Sequence, residues 1–317
     1  MATIDLSILT VGFNSASHLE KCLASLDTDL ARPNVEMLFI NNGKDRSEDL
    51  VERMAQQVRI VPSQGNIGFG RACNLLASHA KGHLFLLLNP DTEVRPDAIE
   101  ALVQAAIKRP DFAILGAMTL TKRDGSQHFP QLKLPGLGSL ARGLIGRTAF
   151  AFPPAQSGSL IPVDCISGGC MMVRREDWHQ LGGFDEAFFL YAEDLDLCRR
   201  ATDAGMRLAI NPEAQVYHDI GSGDFFSPNR LMLQMRGNAH YYRKHFSPTY
   251  AFACLGMLWL TGLVRFIIGG LIGLGSTKYR AMSIGYKDLT LHPWKWWHGY
   301  FRPSIVDDTS NNRSHKH

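Results

Sequence analysis

Apolar and polar positions alternate in blocks along the first 120 residues. Residues 6–11 form a short apolar run with β-branched members, followed by the turn residues Gly12 and Asn14. Leu19, Cys22, Leu23 and Leu26 then recur at helical spacing. Residues 35–40 read as a second strand, ending in Asn41-Asn42-Gly43, and Ser47 is placed to cap a helix through about Gln56. A third strand is expected at 58–61, a helix at 69–79, a fully apolar strand at 84–88 and a fifth strand at 113–120. Pro96 suits the first turn of the helix between the last two. Strands alternating with helices predict an α/β fold, a mainly parallel, Rossmann-like sheet with helices on both faces. Such sheets bind ligands beyond the carboxyl ends of their strands. The polar loops Asn14, Asn41-Asn42, Asn66 and Asn89-Pro90-Asp91 fall at those ends.

The alternation weakens after Leu120. Asp124-Gly125 has the composition of a hairpin turn, and 130–160 is rich in Pro, Gly and Ser. Order is expected again over 163–174, in a helix near 176–181, and in a helix over 194–204 ended by Gly205. Residues 250–275 are apolar apart from Arg265 and long enough to span a bilayer. A central arginine costs roughly 2.5–3.5 kcal/mol on insertion scales, which argues against a simple span. PWKWWHGYF, 293–301, mixes cations with Trp and Tyr, as membrane interfaces do. These features favour in-plane or re-entrant attachment; a buried helical hairpin and a true span are the other readings.

Charge divides the chain. Residues 1–225 carry 21 Lys and Arg against 27 Asp and Glu, and 226–317 carry 12 against 3. This suggests two parts with different partners, one over 1–225 and a basic, apolar helical region over 226–302 suited to membrane association, with 303–317 reading as a disordered tail. Of the partners open to a basic segment, the aromatic and apolar company favours a membrane surface over nucleic acid. Six scattered cysteines without C-x-x-C or zinc spacing read as reduced, mostly buried thiols. MATIDLSILTV reads as a strand rather than a signal peptide.

FFLYAEDLDLCRR, 188–200, brings the adjacent carboxylates Glu193 and Asp194 to a helix start after an aromatic run that includes Tyr191. A carboxylate in apolar company can serve as a general base, and an acidic residue there can equally cap the helix. Asp91 follows a buried strand and a fixed turn at Pro90, where it could hold Mg²⁺ or Mn²⁺ or make an Asx turn. NIGFGRACN, 66–74, lets backbone approach an anion at a helix start. It is neither G-x-G-x-x-G nor a P-loop, so dinucleotide oxidoreductases and P-loop NTPases fit poorly. His218, before Gly221-Ser222-Gly223, is a structural histidine or a second metal ligand.

In order along the chain stand ILTVGFN (8–14), FINNGKD (39–45), NIGFGRACN, LLNPD (87–91), ISGGCMMVRR (166–175), GGFDEAFFLYAEDLDLCRR (182–200) and His218. Over about 4–222 they resemble the family-2 inverting glycosyltransferases of GT-A fold, in particular rhamnosyltransferase-type members that build cell-envelope polysaccharides. The resemblance implies a donor pocket with Thr10, Asn14, Asn41, Asn66, Gly68, Asn89 and Asp91. It implies a metal, Mg²⁺ or Mn²⁺, on Asp91 and His218. It implies Asp194 as base with Glu193 beside it, and an acceptor side formed by Ser167, Gly168, Gly169 and Tyr191. Asn41 stands where the family usually has an Asp contacting the base, and Asn89-Pro90-Asp91 lacks one acid of the D-x-D-like motif.

The implied reaction moves a sugar, L-rhamnose from dTDP-L-rhamnose being the best fit, to a polyprenyl-diphosphate-linked acceptor at the cytoplasmic face of the inner membrane. A UDP-sugar donor is the alternative within the same chemistry. A non-catalytic nucleotide-sugar-binding protein would fit Asn41 and the reduced metal motif. A nucleotidyltransferase would need a glycine- and basic-rich N-terminal signature, which ILTVGFN lacks.

Overall fold

A computed structural model describes residues 4–55, 57–121, 133–144, 159–218, 227–273 and 275–300. The expected turn at Asp124-Gly125, the segment 221–223 and the tail after Tyr300 lie outside these residues, as does most of 130–160.

The chain opens with β1 (Leu6–Gly12), α1 (Ala16–Ser25), the short α2 (Asp27–Leu30), β2 (Val35–Asn41), α3 (Ser47–Met54) and β3 (Arg59–Ile60). It continues with α4 (Phe69–His79), β4 (Leu84–Leu88), β5 (Thr92–Val94), α5 (Ala98–Lys108) and β6 (Phe112–Leu120). After α6 (Leu137–Leu144) come β7 (Ile161–Val163), β8 (Cys170–Arg174), α7 (Arg175–Leu181), α8 (Glu193–Asp203) and β9 (Arg207–His218). Three helices follow: α9 (Pro228–His245), α10 (Pro248–Ile272) and α11 (Thr277–Leu291).

One sheet runs in the order β3-β2-β1-β4-β8-β6-β9-β5, with β7 beside β9. The first four strands are parallel, as strand–helix alternation requires. β8 enters antiparallel between β4 and β6, and β6 and β9 are parallel again. Alternate residues feed opposite faces, the consequence of the two-residue period of a strand. Leu9, Val11, Leu38, Ile40, Phe85 and Leu87 join a core with α4, α7 and α8. Leu6, Ile8, Met37, Phe39, Leu84 and Leu86 join a second core with α1, α3 and α5. The first of these cores also takes in Ala251, Cys254, Leu255 and Leu258 of α10, Tyr286 and Leu289 of α11, and Trp296. Burying each such side chain contributes about 1.5–3 kcal/mol, so both faces of the sheet are firmly covered.

Two local expectations change. Ser47 is the first residue of α3 rather than its cap; Arg46 holds the cap position, and the Ser47 hydroxyl donates to Asp45 Oδ2 at 2.8 Å. Pro96 precedes α5, whose cap is Asp97 in the left-handed region at φ 65°. The Gly205 stop is as expected, with φ 77° one residue past the α8 cap. All six cysteines are buried and free.

Candidate active site

The carboxyl ends of β1, β2 and β4 gather the polar loops. Thr10 is fully buried and its hydroxyl makes no hydrogen bond. Asn14 turns the chain after β1 at φ 50°, and its Oδ1 accepts from the Lys44 N–H at 3.2 Å. Asn41 ends β2, buried. Its Nδ2 lies near three acceptors: Asp45 O at 2.9 Å, Asp45 Oδ1 at 3.2 Å and Glu48 Oε2 at 2.7 Å. Its Oδ1 accepts from the Gly43 N–H at 2.8 Å. The amide therefore organises the loop after β2, with two acids from that loop and α3 gathered around it. The sequence reading did not link Asp45 or Glu48 to this position.

The glycine-rich turn at the start of α4 closes over the loop that precedes α8. Asn66 Oδ1 accepts from the Gly68 N–H at 3.3 Å, and Asn42 Nδ2 donates to Gly68 O at 3.0 Å. Gly68 sits at φ 88°, and a Cβ there would stand 2.5 Å from Phe189 O. Position 68 thus needs glycine twice over, for its backbone and for its neighbour. The Phe69 N–H donates to the same Phe189 carbonyl at 3.0 Å.

Asn89-Pro90-Asp91 turns β4 into β5, where Thr92 pairs with His218 of β9. That register brings His218 Nε2 to 3.0 Å from Asp91 Oδ1. The Asp91 Oδ1 atom is buried and has no well-formed hydrogen bond. Burial works to raise the Asp91 carboxyl, but the adjacent imidazole outweighs it and holds the group below its ordinary range. One hard oxygen and one imidazole nitrogen, the oxygen orphaned, fit a divalent cation that takes its other ligands from phosphate and water. No cluster of three or more metal-ligating acids, histidines or cysteines occurs among the described residues.

Ser167, Gly168 and Gly169 connect this pair to α8. The Gly169 carbonyl accepts from the Asn89 N–H at 2.9 Å. A Cβ on Gly169 would meet His218 Cε1 at 3.1 Å and Asn89 Nδ2 at 3.5 Å. One residue earlier, the Gly168 N–H donates to Asp194 Oδ2 at 3.2 Å. Oδ1 of Asp194 accepts from the Leu195 N–H at 2.8 Å. Two consecutive residues thus touch the Asp91–His218 pair and the Asp194 carboxylate, bringing both predicted centres into one site.

Glu193 and Asp194 open α8 behind two left-handed residues, Tyr191 at φ 68° and Ala192 at φ 69°. Such geometry in non-glycine residues stores strain and needs surrounding support. The support comes from far along the chain. Tyr300 donates its hydroxyl to Leu190 O at 2.6 Å, His240 meets the Phe188 ring edge-on at 4.5 Å, and Gly237 of α9 packs on the Tyr191 carbonyl. Nothing local at 188–200 signals these partners. Burial pushes Asp194 up, against the Gly168 and Leu195 N–H groups that favour its anion. Burial and the neighbouring Asp194 charge push Glu193 up to about 8, and its Oε2 is buried without a hydrogen bond.

Asp196, one turn into α8 and fully buried, was also missed. It takes Arg200 Nε at 2.8 Å, Lys244 Nζ at 2.6 Å and His245 Nε2 at 2.7 Å. Burial alone would raise it; the hydrogen bonds from His245 and Lys244 and the Arg200 charge hold it down at about 2. The Asp196–Arg200 spacing of four was the available signal.

The mixed sheet with ligand loops at its carboxyl edge, a buried acid at a helix start and an acid–imidazole pair on the next strands define a GT-A glycosyltransferase. The Glycosyl transferase family 2 model matches residues 7–182, and the model for Glycosyl transferase family group 2 matches 142–279. This chain belongs to glycosyl transferase family 2, and it is a glycosyltransferase. It is 28% identical over 295 residues to the N-acetylglucosaminyl-diphospho-decaprenol L-rhamnosyltransferase of Mycobacterium tuberculosis, covering 86% of this chain and 91% of that one. It is 26% identical over 222 residues to the rhamnosyltransferase WbbL of Escherichia coli, covering 67% and 82%. Its fold is similar to that of a Pyrobaculum calidifontis mannosyltransferase in complex with GDP-Man and Mn²⁺. That match has a TM-score of 0.59 and 15% identity, over 92% of this chain and 88% of that one.

Proposed function

We propose that this enzyme transfers L-rhamnose from dTDP-L-rhamnose to a saccharide on a polyprenyl diphosphate, at the cytoplasmic face of the cell membrane, in cell-envelope polysaccharide synthesis. The observation that carries the chemistry is the Gly168-Gly169 bridge, with the base carboxylate on one residue and the metal-competent pair on the next. The substrates follow from the rhamnosyltransferase relatives, one of which is named for a decaprenyl-diphosphate acceptor. Residues 1–225 are the catalytic part in this reading, and 226–302 the membrane side.

Asp194 accepts the proton of the acceptor hydroxyl as its oxygen bonds to the anomeric carbon. The bond from that carbon to the nucleoside diphosphate breaks on the opposite side, inverting the centre. General-base help of this kind contributes roughly 10²–10⁴ in rate. The Gly168 and Leu195 N–H groups aim the carboxylate, and burial raises its basicity. Glu193, largely protonated at neutral pH, positions the acceptor without placing a second negative charge beside the base. Asp91 and His218 would hold Mg²⁺ or Mn²⁺, which offsets charge on the departing diphosphate. Thr10, Asn14, Asn41, Asn66, Gly68 and Asn89 line the donor side, and Ser167, Gly168, Gly169 and Tyr191 the acceptor side. Asn41 offers an amide oxygen to a pyrimidine N3–H in place of a carboxylate.

A donor screen with purified protein, Mg²⁺ or Mn²⁺ and a polyprenyl-diphosphate N-acetylglucosamine acceptor tests this. Release of dTDP with an α-L-rhamnosyl product is expected. Release of UDP from a UDP-sugar would overturn the donor assignment, and pyrophosphate release would overturn the class of transfer.

A further inference from the structure

Helix α10 is two different surfaces end to end. Ala251, Cys254, Leu255 and Leu258 are buried in the core that also holds α8 and α9. Beyond them Leu260, Ile267, Ile268, Leu271 and Ile272 are exposed, Leu271 by 73%. Leu260, Ile267 and Leu271 recur at helical spacing on the side away from α11. The opposite side meets α11 closely: a Cβ on Gly269 would stand 2.7 Å from Ser283 N, and one on Gly262 would touch Thr290 and Tyr286. The central Arg265 turns inward too, donating to the Tyr286 hydroxyl at 2.5 Å with its guanidinium 5.3 Å from that ring. The charge that disfavoured a membrane segment is thereby removed from the outer face.

We propose that the α10–α11 hairpin lies in the plane of an anionic lipid bilayer, with the outer stripe of α10 among the acyl chains and neither helix crossing. Length decides against crossing. Residues 260–272 cover about 20 Å at about 1.5 Å per residue, against a hydrocarbon core of about 30 Å. The first half of α10 exposes Phe252 by 66% but is anchored by Ala251, Cys254, Leu255 and Leu258 in the protein core, so it cannot move into the bilayer to supply the rest. Charge decides against a steep dip. Lys278 and Arg280 are exposed at the hairpin tip and would be driven to the bilayer centre. Lying flat, they and Lys287 reach the phosphates, while exposed Leu291 and Trp294 sit at the interface. Charge also selects the occupant. On the hairpin itself Lys278, Arg280 and Lys287 are exposed, and its one acid, Asp288, is paired with His292 and Lys295. A second copy on this face would set cations against cations, whereas anionic lipid complements them.

This inference deepens the lipid-linked-acceptor reading, and its test keeps the two apart by measuring vesicle binding and sugar transfer separately. The full-length protein is floated with phosphatidylcholine vesicles, with and without phosphatidylglycerol. Wild type is expected to float with the anionic vesicles and to leave them as salt rises. The Leu260→Asp/Ile267→Asp/Leu271→Asp variant should lose about 10-fold or more of that binding while transferring sugar to a short-chain, water-soluble acceptor at the wild-type rate. Lys278→Glu/Arg280→Glu/Lys287→Glu should lose the preference for anionic lipid. A wild type that stays at the bottom of the gradient, or an apolar-face variant that floats equally well, would overturn the proposal. So would a dimer in sedimentation that the same variant dissolves, since the face would then belong to a second copy. Flotation with no transfer to any acceptor would defeat the reaction reading alone.

Discussion

At the residue scale, Glu193 and Asp194 are two buried acids in sequence with different surroundings. Asp194 accepts two N–H bonds to its carboxylate, whereas Glu193 Oε2 accepts none. Proximity keeps both from ionising freely, and the solvation difference leaves the proton on Glu193. Its raised value, about 8 against an ordinary 4.5, has a definite sign for stability. Between those values the native state holds a proton that the unfolded chain has released. Stability therefore falls as pH rises through that window. Glu193→Gln removes this slope, so the Tm of the variant relative to wild type should climb by several degrees between pH 5 and pH 8 in calorimetry. A constant difference would show that Glu193 is ionised in the fold. The metal pair gives a second prediction. Chelation should abolish transfer, Mn²⁺ or Mg²⁺ should restore it, and Asp91→Asn should raise the metal concentration required roughly 10-fold or more in a titration of rate. A variant titrating like wild type would remove Asp91 from the metal site.

At the element scale, apolar periodicity made α4 and β4 readable to the residue, because each sits wholly inside one contiguous pattern. The loops at the strand ends were legible for the same reason. β8 was legible as ordered but not as an antiparallel insertion between β4 and β6, because strand direction depends on partners far away in the chain, such as Leu84 for Arg174 and Ile114 for Val173. Ser47 misled because a serine before an apolar run reads as a cap, while here Asp45 claims its hydroxyl. The loop leading into α8 shows the limit most clearly. FFLYAEDLD announced its acids, but not the contacts from Gly237, His240 and Tyr300 that hold it. Those partners are set by the packing of α9 and the segment after α11, and no local pattern encodes them. Tyr300→Phe tests their role. Losing the hydrogen bond to Leu190 O should cost about 1 kcal/mol of stability. It should lower kcat several-fold while donor affinity stays constant. Unchanged kcat with the same stability loss would reduce Tyr300 to a packing residue.

At the scale of the whole molecule, the acidic first part and basic last part are joined by a shared core rather than held apart. The buried Asp196 ties α8 to α9 through Lys244 and His245, so the helix that opens with Glu193 and Asp194 is fixed to the helix leading into α10. Breaking one partner of a buried charge cluster is costly, typically about 3–5 kcal/mol, because the other charges stay behind. This arrangement joins the start of α8 to the helices that carry the exposed apolar surface.

The central claim is that Asp194 is the base of a single-displacement transfer. Asp194→Asn keeps the size of the side chain and an acceptor oxygen for the Gly168 N–H, and removes only the proton-accepting charge. Single-turnover transfer should fall by roughly 10²–10⁴, while donor binding measured by calorimetry stays at the wild-type level. Transfer at the wild-type rate with donor still bound would contradict the account.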